Sequence, residues 1–212
     1  MALVDANYKF LYVSVGASGR AGDSGVYNES TLKKALDQNT LDLPLPAPLQ
    51  PNSVCKVHYH IVADDAFSMS KALMKPYPHR HLDREKRVFN YRLSRARRVV
   101  ENAFGIFAHR WRVFLTTLRL SPKKVTQLIL AACCLHNYLV EKQKSTYTAA
   151  ADVENRDHSI SNGPWRGDPC LASLNKFNSD RNPSRNAKTQ REYLTTFFNG
   201  NGSVPWQDLM IK

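Results

Sequence analysis

The sequence predicts an α/β domain, and three features predict it. Short β-rich runs at 2–15 and 57–67 lie among segments of helical periodicity. A glycine-rich loop, "GASGRAGDSG" at 16–25, feeds directly into one of the helical segments, and two long helical patterns follow at about 83–114 and 122–142. A length of 212 residues suffices for one domain with a real core plus an appendage, and a hydrophobic content of 42% is ordinary for a globular chain.

The elements follow in order. "ALVDANYKFLYVSV" (2–15) reads as a hairpin: a short apolar arm, a turn at Asp5 to Asn7, then a β-rich arm. The first arm is short for its partner and would leave backbone groups of that partner unpaired, so the expectation is a chain that enters in the middle of a strand. A helix is expected at about 26–36, and "LPLPAPLQP" (43–51) is a proline-punctuated, extended connector. "VHYHIVADDAF" (57–67) reads as a strand that ends at Asp64 and Asp65. Residues 69–80 turn through Pro76 and Pro78, and a long helix takes over to about Phe114. Pro122, with Ser121 as cap, starts another that reaches about Lys142. From Ser145 to about Pro183 the chain is polar and aperiodic, the pattern of a flexible linker, and "QREYLTTFF" (190–198) offers one last amphipathic turn or two. The expected division is a folded domain at 1–143, a linker at 144–189 and a short, mostly disordered C-terminal tail at 190–212, with no internal repeat.

Composition limits the partners. Thirty Lys and Arg against eighteen Asp and Glu give a formal charge of +12, which suits a polyanion: nucleic acid first, an anionic membrane surface second. No apolar run approaches the roughly 20 residues that cross a bilayer, and the run from Leu128 to Leu135 is broken at once by His136 and Asn137. A soluble chain without a secretory signal is expected. Cys55, Cys133, Cys134 and Cys170 are unevenly spaced, which argues for buried thiols in a reducing compartment rather than a disulfide framework.

Three carboxylates stand out, each with two readings. Asp64 follows an apolar strand, where a rigid framework presents side chains to a ligand, yet Asp64 and Asp65 also suit a plain turn. Asp23 follows the glycine-rich loop and would serve either as a helix cap or as a metal ligand. Glu101 is a lone acid among Arg97, Arg98, Arg110 and Arg112 in "RVVENAFGIFAHRWRVF" (98–114 with Arg97 before it); it would pair with Arg97 or Arg98 one turn back, or hold a cation. Acids from separate elements in a basic surround suit metal-assisted attack on a phosphodiester, with arginines on the phosphates.

Other groupings carry less. Cys55, His58 and His60 have a C-x2-H-x-H spacing without a second pair nearby, so a strand is favoured over a zinc site. Cys133, Cys134 and His136 sit in "LILAACCLHNYL", where thiols pack in a core and His136 with Asn137 satisfies backbone partners. Phe104, Phe107, Trp111 and Phe114 recur at helical spacing and favour an apolar face over a base-stacking platform. The basic run from Arg80 to Arg98 carries eight positive residues against Asp83 and Glu85, and phosphate contact is favoured over a merely solvated face.

"DDAFSMSKALMKPYP", "FNYRLSRARRVVENAFGIFAHRWRVF" and "LAACCLHNYL" resemble successive blocks of the PIF/Harbinger transposase superfamily, in its DDE nuclease domain, over about 3–141. The closing "REYLTTFFNGNGSVPWQ" is similar to tails of such proteins. The resemblance implies an RNase H-like fold, a Mg²⁺- or Mn²⁺-dependent nuclease centre, double-stranded DNA as substrate and a Myb/SANT-like partner protein; a nuclear location follows from that substrate and the basic character of the chain. It gives Asp64 the role of the acid after the fourth strand, Glu101 that of the acid on the late helix and Asp23 that of an additional metal-associated aspartate. Arg95, Arg97, Arg98, Arg110 and Arg112 become the nucleic-acid contacts. The family's first catalytic aspartate lies on a strand upstream of the hairpin, and no residue here matches it; Asp5 belongs to the following turn. Ala63 stands where the family often has Gly, and the frequent Pro before Gly19 is missing. The expectation is an N-terminally truncated DDE domain with impaired hydrolysis, or a noncatalytic DNA- or protein-binding remnant.

Overall fold

The computed structural model describes residues 1–18, 21–168 and 183–211. Among them, 1–18 with 98–168 form one compact unit, and 21–97 with 183–211 form another. Helix α3 contributes residues to both, because its range runs from Arg84 to Arg110.

The first unit opens with the expected hairpin. β1 (Ala2–Val4) pairs antiparallel with β2 (Phe10–Val13), with Leu3 opposite Tyr12 and an irregularity after Leu3. Asp5 closes the turn by accepting from the amides of Asn7 at 2.8 Å and Lys9 at 2.9 Å, a use of a short carboxylate that competes with no ladder bond. Phe10 is buried against Phe107 of α3 and His136 of α4 (Pro122–Lys142), with ring centroids 5.6 and 4.8 Å away. The bounds of α4 are the expected ones; Pro122 occupies its first turn, where its missing N–H costs nothing, and Ser121 is the N-cap residue without a side-chain cap bond. Asn137 and His136 do what their place in an apolar helix requires. Asn137 bonds both backbone groups of Phe10, and His136, fully buried, meets the Tyr8 carbonyl through Nε2 at 2.7 Å and the Tyr147 hydroxyl through Nδ1 at 2.9 Å.

Residues 144–168, read from sequence as linker, carry regular structure: α5 (Lys144–Tyr147), a 3-10 turn (Thr148–Ala150), a hairpin of β7 (Val153–Glu154) and β8 (Ile160–Ser161), and a second 3-10 turn (Pro164–Gly167). The buried side chains of the segment, Ala151, Asp152 and Trp165, are too few and too irregularly spaced to leave a periodic trace in a polar sequence. Residues 169–182 of that expected linker, with Cys170, lie outside the described residues.

In the second unit the expected single helix is two, α1 (Gly22–Glu29) and α2 (Thr31–Asp37), divided at Ser30, whose extended backbone ends one and whose hydroxyl caps Lys33 N at 3.1 Å. The expected strand at 57–67 is also divided. β3 (Ala47–Pro48) pairs antiparallel with β4 (Lys56–Val57), and β5 (Ile61–Val62) pairs parallel with β6 (Leu73–Met74). Residues 58–60 lie between β4 and β5 outside any strand, where His60 Nδ1 faces the His58 carbonyl at 3.0 Å.

The C-terminal segment is core rather than tail. α6 (Arg185–Asn199) starts earlier than the sequence suggested, because Ser184 caps Ala187 N at 3.3 Å, and it buries Ala187 and Leu194 with Val57, Met74, Tyr77, Phe89 and Leu93. The Tyr77 hydroxyl meets Thr195 at 3.0 Å, and α7 (Gln207–Met210) adds a buried Gln207 that bonds the Phe198 carbonyl at 3.1 Å. The fold is thus a mixture of helices and small sheets, in keeping with the α/β class. Of the cysteines described, only Cys133 is buried; Cys55 and Cys134 are exposed, because Cys134 falls one residue round α4 from the core face. No described helix is long and apolar enough to cross a membrane.

Candidate active site

Asp64 is positioned by the parallel pair of β5 and β6. Ile61 N and Ala63 N donate to the carbonyls of Ala72 and Met74, each at 2.9 Å, so the chain emerges from β5 in a fixed register one residue before the aspartate. Asp64 Oδ1 then accepts from Ala66 N at 3.0 Å, so the turn role anticipated for this residue is real and engages one carboxylate oxygen. Partial burial pushes the Asp64 carboxyl above the usual carboxylate range, against the Ala66 amide and the Arg97 charge, with the charges of Asp23 and Asp65 adding to the rise.

Asp23 stands in the first turn of α1, where a negative charge suits the helix dipole, and it is exposed. It is not the cap: Ala21 holds that position without a side-chain bond, and Gly22 takes the left-handed φ of 61° that starts the helix. Tyr27, one turn further on, is fully buried with its ring edge-on to Phe67 at 5.3 Å, and burial pushes its hydroxyl up to about 12. That contact ties α1 to the turn that follows Asp64. Asp23, Asp64 and Arg97 belong to one unit, and the charges of Asp23 and Arg97 bear on the Asp64 carboxyl.

Glu101 belongs to the other unit, where it meets Arg166, a residue from well outside its own helix. Arg166 NH2 donates to Glu101 Oε2 at 3.1 Å and to Asp152 Oδ2 at 2.6 Å, while Arg166 Nε lies 3.0 Å from each Asp152 oxygen. The Asp152 carboxylate also accepts from Gly163 N at 2.9 Å, and Arg166 with Arg98 holds it below the usual range even though burial acts the other way. Sequence reasoning missed Arg166 and Asp152. The available signal was a tryptophan beside an arginine in "NGPWRGD", an expensive residue to leave in a solvated linker.

The basic side chains do not form one set. Arg95 lies over the Trp206 ring at 5.6 Å and Arg97 bears on Asp64, both in the second unit. In the first unit, Arg98 bears on Asp152, Arg110 is exposed and Arg112 is exposed beside a groove of about 310 Å³ that His109, Trp165 and Asp168 help to line. Phe107, Trp111 and Phe114 pack toward the core with Phe10 as an apolar face, whereas Phe104 is 45% exposed.

Two carboxylates on one unit offer hard oxygen donors, and a half-buried acid raised in part by a second acid suits a small divalent cation, which is commonly held by one or two carboxylates. Among the described residues no three His, Cys, Asp or Glu side chains gather as a metal site, neither at the carboxylates nor around Cys55, His58 and His60.

Residues 1–137 match the family described as DDE superfamily endonuclease. The chain belongs to that family. This membership is what the sequence blocks had suggested, and it places α1, Asp64 and most of α4 within the matched DDE endonuclease region. A relative, "Protein ALP1-like" of Arabidopsis thaliana, is 25% identical over 146 residues, which cover 68% of this chain and 36% of that protein. The chain thus spans about a third of the length of the curated relative it matches. No solved structure matches this chain.

Proposed function

We propose that the chain acts as a transposase-derived DNA endonuclease of RNase H-like fold, hydrolysing phosphodiesters with a divalent cation, Mg²⁺ or Mn²⁺. The observation that carries the reading is Asp64: an acid held at the end of β5, kept above its usual range by burial and by Asp23, in a DDE superfamily endonuclease. Asp23 and Asp64 are the carboxylates that would hold the ion, and a metal-ligand role for Glu101 is proposed from the family resemblance alone.

A bound divalent cation would supply polarisation of a phosphoryl oxygen and a more acidic water. The chain's own residues do the rest. Asp64 keeps one oxygen on Ala66 N, which fixes the carboxylate plane and aims the group. Asp23, exposed on the first turn of α1, adds negative charge without a cap bond of its own. Arg95, Arg97, Arg98, Arg110 and Arg112 are proposed to contact the DNA backbone, in line with the formal charge of +12. A nuclear location and a Myb/SANT-like partner belong to the same proposal.

A specific observation favours a second reading. The ion pair between Glu101 and Arg166, with no described cluster of three potential ligands, suits a DNA- or protein-binding module that no longer cuts. A labelled duplex incubated with the protein in Mn²⁺ separates the two: slow nicking that disappears in Asp64→Asn supports the endonuclease, and unaltered DNA that is nevertheless bound supports the binding module.

A further inference from the structure

Helix α4 is apolar on two sides, and only one of them is buried. Residues 125–140 contain no Asp, Glu, Lys or Arg, and a helix that is apolar all round is normally covered all round. Ala132, Cys133, His136 and Val140 are buried, with Ala132 and Cys133 in the cluster around Phe10 and Phe107. The opposite side is exposed along Leu128, Ala131, Leu135 and Tyr138, where Leu135 and Tyr138 keep 50% and 59% of their surface in solvent. Their spacings of three, four and three are those of a coiled-coil seam, and the small side chain of Ala131 lets a second helix axis come close at the middle. The seam continues by one step in each direction to Lys124 and Lys142, both exposed. Glu141, the acid at the C-terminal end, is engaged by Lys9 at 3.0 Å.

We propose that this exposed face of α4 docks an amphipathic helix of a partner protein, one whose apolar stripe is bordered by carboxylates. Leu128, Leu135 and Tyr138 are the anchors, Ala131 is the point of close approach, and Lys124 and Lys142 meet the partner's acids. A partner helix of about five turns spans the distance between those two lysines. A second copy of the chain fits the face badly. An antiparallel pair sets Lys124 of one copy against Lys142 of the other, a parallel pair sets each lysine against itself, and every copy brings a formal charge of +12. Carboxylates on the partner remove that conflict. The seam supplies the affinity, whereas the lysines at its ends steer and select. The docking face does not depend on the endonuclease reading, since it uses neither Asp23 nor Asp64.

Fluorescence anisotropy of labelled helical peptides of about five turns, titrated with the full chain, tests this. One peptide has a leucine seam bordered by glutamates, another has the same composition with the seam scrambled, and a third has lysines in place of the glutamates. The glutamate peptide should bind the wild type tighter than either of the others by about tenfold or more. Leu135→Ser with Tyr138→Ser should remove that advantage, and Lys124→Gln with Lys142→Gln should reduce it. Leu11→Ser, at a leucine of β2 that is 63% exposed, should leave it unaltered. All the altered side chains are exposed, and circular dichroism with a cooperative thermal transition confirms that the variants fold. Absence of binding, or equal binding of the glutamate and scrambled peptides, overturns the docking face. So does equal binding of the glutamate and lysine peptides, or affinity for the glutamate peptide that survives Leu135→Ser with Tyr138→Ser. A dimer seen by light scattering and dissolved by that pair of changes makes a second copy the occupant and overturns the acidic partner.

Discussion

The carboxamide of Asn137 holds the backbone of Phe10 from both sides: its Oδ1 accepts from Phe10 N and its Nδ2 donates to Phe10 O, each at 2.8 Å. One side chain of α4 thus takes the place of a neighbouring strand for that residue of β2. Asn137→Ala leaves a donor and an acceptor without their partner, and unfolding in urea should show a loss of about 1–3 kcal/mol. Asn137→Asp keeps the acceptor but cannot donate to the carbonyl, so it should also destabilise. Wild-type stability in both variants would mean that the backbone of Phe10 is satisfied by solvent.

His136, beside it, gives the fold a pH dependence with a definite sign. Burial pushes its imidazole below the ordinary 6.5, and the neutral ring donates from Nε2 to the Tyr8 carbonyl while Nδ1 accepts from Tyr147, whose hydroxyl burial pushes up to about 12. Below about 6.5 the unfolded chain takes up a proton that the folded chain refuses, so stability falls as pH drops through that value until the folded ring also titrates. One such group contributes a slope of at most about 1.4 kcal/mol per pH unit. Urea midpoints measured between pH 7.5 and 5.5 should show this decline, and His136→Gln should remove its share of it.

How far the sequence reveals the molecule depends on whether a feature repeats. α4 is legible because Ser121, Pro122 and a sustained apolar period mark its start and approximate length, and the β1–β2 hairpin is legible from its turn at Asp5 to Asn7. The single helix drawn over 26–36 failed at Ser30, a cap residue placed where it both ends one helix and starts the next. Asp64 could be found from its strand. The contact of Arg166 with Glu101 could not, since Arg166 comes from a segment in which single buried groups, not a pattern, decide the structure.

Leu194 measures how wrong it is to regard the C-terminal residues as an appendage. It is 4% exposed in a core with Phe89 and Leu93, and Leu194→Ala should cost about 2–5 kcal/mol by cavity formation. An appendage would lose nothing measurable in the same urea experiment.

The phosphate-binding role proposed for the arginines predicts a steep salt dependence. If several phosphates are contacted, affinity for duplex DNA should fall by orders of magnitude between about 50 and 200 mM salt, as followed by fluorescence anisotropy. Affinity that stays constant over that range would remove the case for a phosphate-binding face.

Asp64 should weaken the metal-free fold, because burial and its acidic neighbours raise its carboxyl in the folded chain. A raised acid binds its proton more tightly when folded, so the charged form lowers stability at neutral pH, and that deficit disappears as pH falls below the unfolded value of 3.8. Asp64→Asn preserves an oxygen for Ala66 N and should raise the thermal midpoint of the chelator-treated protein at pH 7. A lower midpoint would indicate that Arg97, not desolvation, governs this carboxylate.

The most direct test of the central claim is calorimetric titration of Mn²⁺ into the wild-type chain and into Asp64→Asn, both shown to be folded. Binding by the wild type should be weakened at least tenfold or lost in the variant, with Asp23→Asn weaker than wild type as well. Indistinguishable titrations of wild type and Asp64→Asn would contradict it, since Asp64 would then be a turn residue and nothing more.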